Sequence, residues 1–415
     1  MYNEMPKVRA KFPAREHPRF LYYDVETNVV KTGSSLAEPK IPTKLEPAAE
    51  SFPNKSSSSS RDDDAEICQP MHDWQTRIFP NCNLSHELSL QPETGSVQFI
   101  ACGGDRCAFR IQDQSQEVVL KMSKFKKEFV PYRYEDARHD GMAMERLQAS
   151  PYILDIYGYC GLSQVIEPGD EGGGALHDLI KTTRLKGGET LSTIDRMKIL
   201  YQIASGVADM HSFENDGLVS LVHNDICCHQ FILTKEVYKL NDFHLSQFQR
   251  KNRKTQEVCP SHNGYSDWYK VIRSPEEIAY KLGQTKQSKT LLEKTDVYTL
   301  GNVMYYVFTM HWLFQEVSTA VAALKITTGE RSPFPESILQ SQDRATRAMR
   351  KAIEMCWTHD PGERPTAKEV RQFLGKELQA VLGVKDLGIV RVDSIEPLPV
   401  GYRYSDSDFN SMFKG

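Results

Sequence analysis

Two hydrophobic periods divide the chain. From about Val97 the apolar residues fall in short runs, Val97-Gln98-Phe99-Ile100, Ala108-Phe109-Arg110-Ile111 and Glu117-Val118-Val119-Leu120-Lys121-Met122. Turn residues such as Gly103-Gly104-Asp105 separate them, which predicts an antiparallel meander. A helix is predicted from about Arg138 to Gln148, then a second strand pair, Ile153 to Tyr159 and Ser163 to Ile166, ending at Glu167-Pro168. Beyond Pro168 the spacing becomes three and four: Leu200, Ile203, Val207 and Met210, then Val297, Leu300, Met304, Val307 and Phe308, then Met349, Ile353, Cys356 and Trp357. The pattern predicts an α+β, two-lobed architecture, with a small β-rich lobe joined to a larger α-helical one. Ligands favour clefts of that kind.

Near the start of the helical part lies a denser stretch, Leu221 to Leu233 followed by Tyr238 to Phe248. It carries Asp225 and Asp242, each just beyond a short apolar run that reads as a strand end. Such aspartates commonly cap turns. Carried on rigid elements with only a few residues of turn between, two carboxylates can also converge on one site and suit phosphoryl transfer, in which one takes a hydroxyl proton and another holds Mg²⁺.

The flanks differ from this middle. Residues 1–66 are linker-like, with recurrent Pro and Ser and a run from Ser56 to Ser60, although Phe20-Leu21-Tyr22-Tyr23 is apolar enough to dock. Residues 67–94 contain Cys68 and Cys82, which bracket a stretch without regular period, a candidate disulfide-closed loop beside an Asn83-Leu84-Ser85 triplet. Residues 383–415 read as a polar, mobile or loosely docked tail. The nine cysteines are scattered and odd in number, the pattern of incidental thiols rather than a disulfide framework or a zinc site.

Composition adds exclusions. With 415 residues, 40% hydrophobic and 26% charged, the chain has ordinary globular usage. A net charge of −4 argues against nucleic acid or an anionic membrane as the main partner. No apolar run reaches the ~18–20 residues of a membrane span. The start lacks the apolar core of a signal peptide, so a cytoplasmic location is the default. The secretory pathway is the alternative if the recorded N-terminus is incomplete.

In order and spacing, several motifs over residues 95–382 resemble the eukaryotic protein kinase family, with a smaller lobe at 95–166 and a larger one at 168–382. Lys121, in VVLKM, matches the third-strand lysine that contacts nucleotide phosphates. Asp140 shares a helical face with Met144 and Leu147, which is the family register for the lysine's acidic partner; Glu145, with the longer side chain, points about 100° away. The phosphate-covering loop is degraded: Ala101, Gly103 and Arg106 take its glycine positions, with Gly104 alongside, and Arg106 either supplies charge or obstructs nucleotide. The resemblance implies ATP binding by Gly103, Gly104, Lys121 and Glu167. In the catalytic loop it implies Asp225 as the proton acceptor, His223 as a structural residue and Gln230 in place of the asparagine that binds a second metal. Asn224 replaces the arginine that pairs with a phosphorylated activation segment, Cys227 the lysine usual in serine/threonine kinases, and His229 stands where tyrosine kinases place an arginine.

Asp242-Phe243-His244 resembles the metal-binding Asp-Phe-Gly motif, with His244 replacing glycine. The basic run Arg250 to Lys254 reads as a solvated loop face, or as a binder of acidic substrate. Glu276, Arg364 and Asp296 match scaffold positions, and the larger lobe has a tyrosine-kinase-like flavour. Three functions fit. The first is a kinase that uses ATP and Mg²⁺ to phosphorylate a hydroxyl of a protein substrate. The second is a catalytically impaired pseudokinase acting as a scaffold. The third is a kinase of a sugar or other non-protein hydroxyl.

Overall fold

The computed structural model describes residues 20–24, 29–33, 68–76, 96–113, 116–124, 130–170, 174–185, 191–214, 217–259, 273–284 and 292–392. The chain divides into two units. In the first, strands β1 (Phe20–Asp24) and β2 (Val29–Gly33) pair as an antiparallel hairpin. The apolar patch Phe20 to Tyr23 is therefore a strand within a segment expected to be linker-like; most of the remainder of 1–66 lies outside the described residues.

The second unit begins with a short strand, β3 (Cys68–Pro70), and a 3-10 turn at Asp73–Thr76. It continues into a five-stranded antiparallel sheet of β4 (Ser96–Cys102), β5 (Arg106–Asp113), β6 (Gln116–Ser123), β7 (Ile156–Cys160) and β8 (Ser163–Ile166), in the order β4-β5-β6-β8-β7. Alternation sorts the sheet's two faces. Val118 and Leu120 join Ile111 and Val165 in a small apolar cluster on one face. Val119, and with it Lys121, points to the other, where Val119 meets the main core.

Helix α1 (Pro131–Leu147) crosses that face. It starts a full turn or more before the sequence pattern suggests, at a proline suited to the first helical position. Its buried Ala137, Asp140, Met144 and Leu147 step by three and four. Gly141 lets the strands approach: a Cβ there would sit 2.5 Å from the ring of Tyr159 in β7.

The larger lobe is built on α3 (Thr193–Ser212), which follows α2 (Leu176–Leu185) and is buried nearly all round. Ser192 caps it by accepting from the Asp195 N–H at 3.0 Å. Two short pairings then shape the cleft. β9 (Leu221–Val222) pairs with β12 (Gln247–Phe248), and β10 (Phe231–Thr234) pairs with β11 (Val237–Leu240) through a tight Lys235-Glu236 turn with positive φ at both residues. The loop carrying Asp225 links β9 to β10 and the loop carrying Asp242 links β11 to β12, so strand pairing alone brings the two loops side by side. Next come β13 (Arg250–Asn252), α4 (Pro275–Lys281), α5 (Leu292–Thr309), α6 (Thr319–Thr327), α7 (Glu336–Leu339), α8 (Arg344–Cys356) and α9 (Ala367–Leu382).

Three expectations are corrected. Cys68 bonds Cys259, not Cys82, and Cys102 bonds Cys107, while Cys160 is also in a disulfide; these five are thus not incidental thiols, whereas Cys227, Cys228 and Cys356 are free. The basic run at 250–254 is not simply a solvated face, because its first residues form β13 and pair antiparallel with β3, Lys251 opposite Gln69. The tail beyond 382 is docked as far as Val392. Val390 and Val392 are buried, the Gln202 amide donates to the Val390 carbonyl at 2.9 Å, and the Val392 N–H donates to the Glu236 carbonyl at 2.9 Å.

The β3 segment packs firmly on the larger lobe. Trp74 is buried against Phe213 and Phe248, with ring centroids at 5.7 and 4.9 Å, and its indole N–H donates to Glu214 at 2.6 Å. The Gln75 amide donates to the carbonyls of Ser220 (3.3 Å) and Gln249 (3.0 Å), on either side of the β9–β12 pair.

Candidate active site

Asn241 is the junction of the cleft. Its side-chain oxygen accepts from Lys121 Nζ at 2.9 Å. Its backbone N–H donates to the Gln230 carbonyl at 2.8 Å, and its carbonyl lies 3.1 Å from His223 Nε2. One residue therefore ties the strand lysine, the Asp225 loop and the Asp242 loop together. Nothing in the family-like pattern singled it out; its position immediately before Asp242 is the only signal the sequence offers.

The Asp225 loop is set from below by Asp296 on α5. The backbone N–H groups of His223 and Asn224 each donate to this carboxylate at 2.8 Å, and His211 Nε2 lies 3.0 Å from it. Asn224 has φ 66°, a left-handed conformation that Asn tolerates better than most side chains. Asp225 is buried and accepts from Gln230 Nε2 at 2.6 Å. Arg273, three residues before the scaffold residue Glu276 and not foreseen as a site residue, donates to the Asn224 carbonyl at 2.6 Å and approaches Asp225 at 3.7 Å. Burial pushes the Asp225 carboxyl up from its ordinary value, with Arg273 and His223 opposing. Farther out, Arg364 donates to both Glu276 oxygens at 2.8 and 3.1 Å, a bidentate pair at a fully buried guanidinium.

The lysine and its expected acidic partner are arranged differently from the family pattern. Asp140 does point inward and is fully buried, but its carboxylate accepts from Arg106 Nη2 at 2.6 Å and from the Phe243 N–H at 2.8 Å. Lys121 bonds Asn241 instead, and Glu145 accepts from the Tyr159 hydroxyl at 3.3 Å. The physical reason is reach. Arg106 hangs from the end of β5 over the cleft, and its Nη2 alone donates to both Asp140 and Asp242, the latter also at 2.6 Å. A short Asp side chain leaves the gap that the guanidinium fills.

Asp242 itself has φ 66° and carries two partners on Oδ1, Arg106 and His244 Nδ1 at 3.0 Å. Burial alone would raise its carboxyl, but Lys121, His244 and Arg106 hold it well below the usual range. Burial also disfavours charge on His244, yet Asp242 outweighs it and takes the imidazole up to about 9. Lys121 goes the other way: burial lowers its ammonium, with Asp242 and Asp140 opposing. Lys121, Arg106 and His244 thus converge on Asp140 and Asp242.

Gly103 and Gly104 form the tip of the β4–β5 hairpin, where the Gly103 N–H donates to the Arg106 carbonyl at 2.8 Å and both are exposed. Glu167 lies at the end of β8, where the two lobes join. Its carboxylate is buried between Lys239 (2.6 Å) and Lys235 (2.9 Å), and its N–H donates to the Asp155 carbonyl, so its side chain is committed to the scaffold. By the resemblance, the oxygens that would hold a divalent ion are those of Asp242 and the Gln230 amide. Among the described residues no group of three His, Cys, Asp or Glu side chains could hold a metal unaided. That donor set fits magnesium, which is usually held by one or two carboxylates together with substrate phosphates.

With this geometry in view, the sequence profile of protein tyrosine and serine/threonine kinases matches residues 95–374, about two thirds of the chain. This chain belongs to that kinase family. Among its relatives in Dictyostelium discoideum, the dual specificity protein kinase shkE is 27% identical over 192 residues, covering 44% of this chain and 23% of the relative. The dual specificity protein kinase shkD is 23% identical over 291 residues, covering 68% and 34%. The RGS domain-containing serine/threonine-protein kinase A is 24% identical over 180 residues, covering 43% and 13%. The chain therefore spans only about a third or less of each of these relatives. In general the family uses ATP with a divalent metal and acts on proteins. Low identity agrees with a divergent kinase, as do the replacements at Arg106, Asn224, Gln230 and His244. Among the described residues no helix is long and apolar enough to cross a membrane.

Proposed function

We propose that this kinase is an active enzyme that passes the γ-phosphate of ATP to a protein hydroxyl. The observation that carries the reading is the Asn241 junction, which holds Lys121, Asp225 and Asp242 in one hydrogen-bonded frame. In this reading Asp225 accepts the hydroxyl proton while its second contact, Gln230 Nε2, keeps the carboxylate oriented. Its raised pKa moves it towards the range in which a base works well near neutrality. Lys121 and Arg106 face the phosphates, beneath the Gly103-Gly104 tip. Asp242 and the Gln230 oxygen would hold magnesium, which supplies charge neutralisation on the transferred group. Asp140 acts through Arg106 and the Phe243 N–H rather than through Lys121.

A specific observation keeps the pseudokinase reading as the second. Asp242 Oδ1 already accepts from Arg106 and His244, so a metal at this carboxylate must compete with two cations. The test is ATP turnover with magnesium in the presence of a protein acceptor, with Asp225→Ala as control. Phosphate transfer by the wild type and its loss in the variant support the enzyme; equal rates exclude it. The disulfides Cys68–Cys259 and Cys102–Cys107 support an oxidising compartment as the working location, in place of the cytoplasmic default.

A further inference from the structure

Arg106 is more than a replacement in a degraded loop. Its Nη2 lies 2.6 Å from both Asp140 and Asp242, whereas Nη1 is buried and has no hydrogen-bond partner among the described residues. A buried donor left unpaired is costly, so its presence points to an acceptor that completes the site. The side chain is fixed by its own hairpin: Cys102 and Cys107 are joined across it, and the Arg106 carbonyl accepts from Gly103. Such a guanidinium is permanently charged and anchored through Nη2 on two carboxylates, with the donor capacity of Nη1 left over. It also occupies the carboxylate that a divalent cation would otherwise use to bring a phosphate in.

We propose that Arg106 is the phosphate anchor of the nucleotide and a built-in cation at Asp242, so that a nucleoside triphosphate binds this site without a divalent metal. The inference rests on the nucleotide-binding part of the proposed function. Nη1 donates to a phosphate oxygen while Nη2 remains on the two aspartates. Metal then serves transfer and is dispensable for binding.

The experiment is nucleotide binding by calorimetry or thermal shift on the full chain, using ATP and adenosine, each with magnesium and with EDTA. Wild type, Arg106→Ala and Arg106→Lys are compared, and a melting curve of each variant without nucleotide establishes that it is folded. The expected result is a wild-type Kd for ATP that EDTA changes by no more than about threefold. Arg106→Ala should weaken metal-free ATP binding about tenfold or more, the loss of a charge-assisted bond. Adenosine binding should be unchanged, and Arg106→Lys, which keeps the charge and loses the fork, should fall between. Wild-type binding that needs magnesium overturns the proposal and leaves the proposed function standing. Metal-free binding that Arg106→Ala leaves intact also overturns it. If the wild type binds ATP in neither condition, both readings fall.

Discussion

Replacing Cys259 with Ser cuts the link between the segment after Asp242 and the β3 strap. The disulfide joins residues 191 apart in sequence. In the chain-entropy description, removing a cross-link over a loop of that length costs up to about 5 kcal/mol. That is a ceiling, since other cross-links within the loop already restrict the unfolded chain. The strap does not depend on the bond alone: Trp74 remains buried between Phe213 and Phe248, and Gln75 still donates to Ser220 and Gln249. Cys259→Ser should therefore stay folded, with a melting temperature lower by on the order of 10 °C. Hydrogen exchange should quicken at 68–76 and 250–259, where β3 and β13 pair, and hardly change in α5 and α8. Peptide mapping of the wild type without reductant should recover Cys68 joined to Cys259. A Cys68–Cys82 peptide in its place, or a variant with unchanged melting and exchange, would refute the reasoning.

Other consequences follow from single contacts. Gly141→Ala puts a methyl against the Tyr159 ring, and the overpacking should cost about 1–3 kcal/mol in denaturant unfolding; no change would mean that α1 lies farther from β7 than described. Asp296→Ala leaves the His223 and Asn224 N–H groups buried without their acceptor and should destabilise by about 2–5 kcal/mol. A mild Asp296→Ala phenotype in chemical unfolding would count against that scaffold role. His177 is buried and stacked on His229 at 4.1 Å, and burial takes its imidazole down to about 3 from an unfolded value of 6.5. A lowered histidine pKa gives stability that is present above 6.5 and lost as pH falls below it. Between pH 7 and 5 the wild type should thus lose up to about 2 kcal/mol more than His177→Phe in urea titrations; parallel pH profiles would contradict the burial argument.

The architecture was readable because period is a local property. The three-and-four spacing of Leu200, Ile203, Val207 and Met210 marks α3, and that of Asp140, Met144 and Leu147 turns the aspartate inward whatever its partner proves to be. The strand-to-loop junctions at Asp225 and Asp242 were equally visible. What escaped depends on three-dimensional competition. Asp140 has the register of a lysine partner, but whether Lys121 or Arg106 reaches it depends on side-chain length and hairpin position. Arg273 lies 48 residues from Asp225 in sequence and meets it only after the loop folds back. Cysteine pairing was unreadable for the same reason, since Cys68 finds Cys259 through the β3–β13 ladder. The docking of Val390 and Val392 is carried by isolated residues with no period to betray them.

The central claim is that Asp225 does chemistry in this cleft. Phosphate transfer from labelled ATP to a protein panel, with magnesium, tests it directly when wild type and Asp225→Ala are run side by side. The account predicts measurable transfer by the wild type and a fall of about a hundredfold or more in the variant, the contribution typical of a positioned base. Equal rates in the two proteins, or no transfer by either, would contradict it.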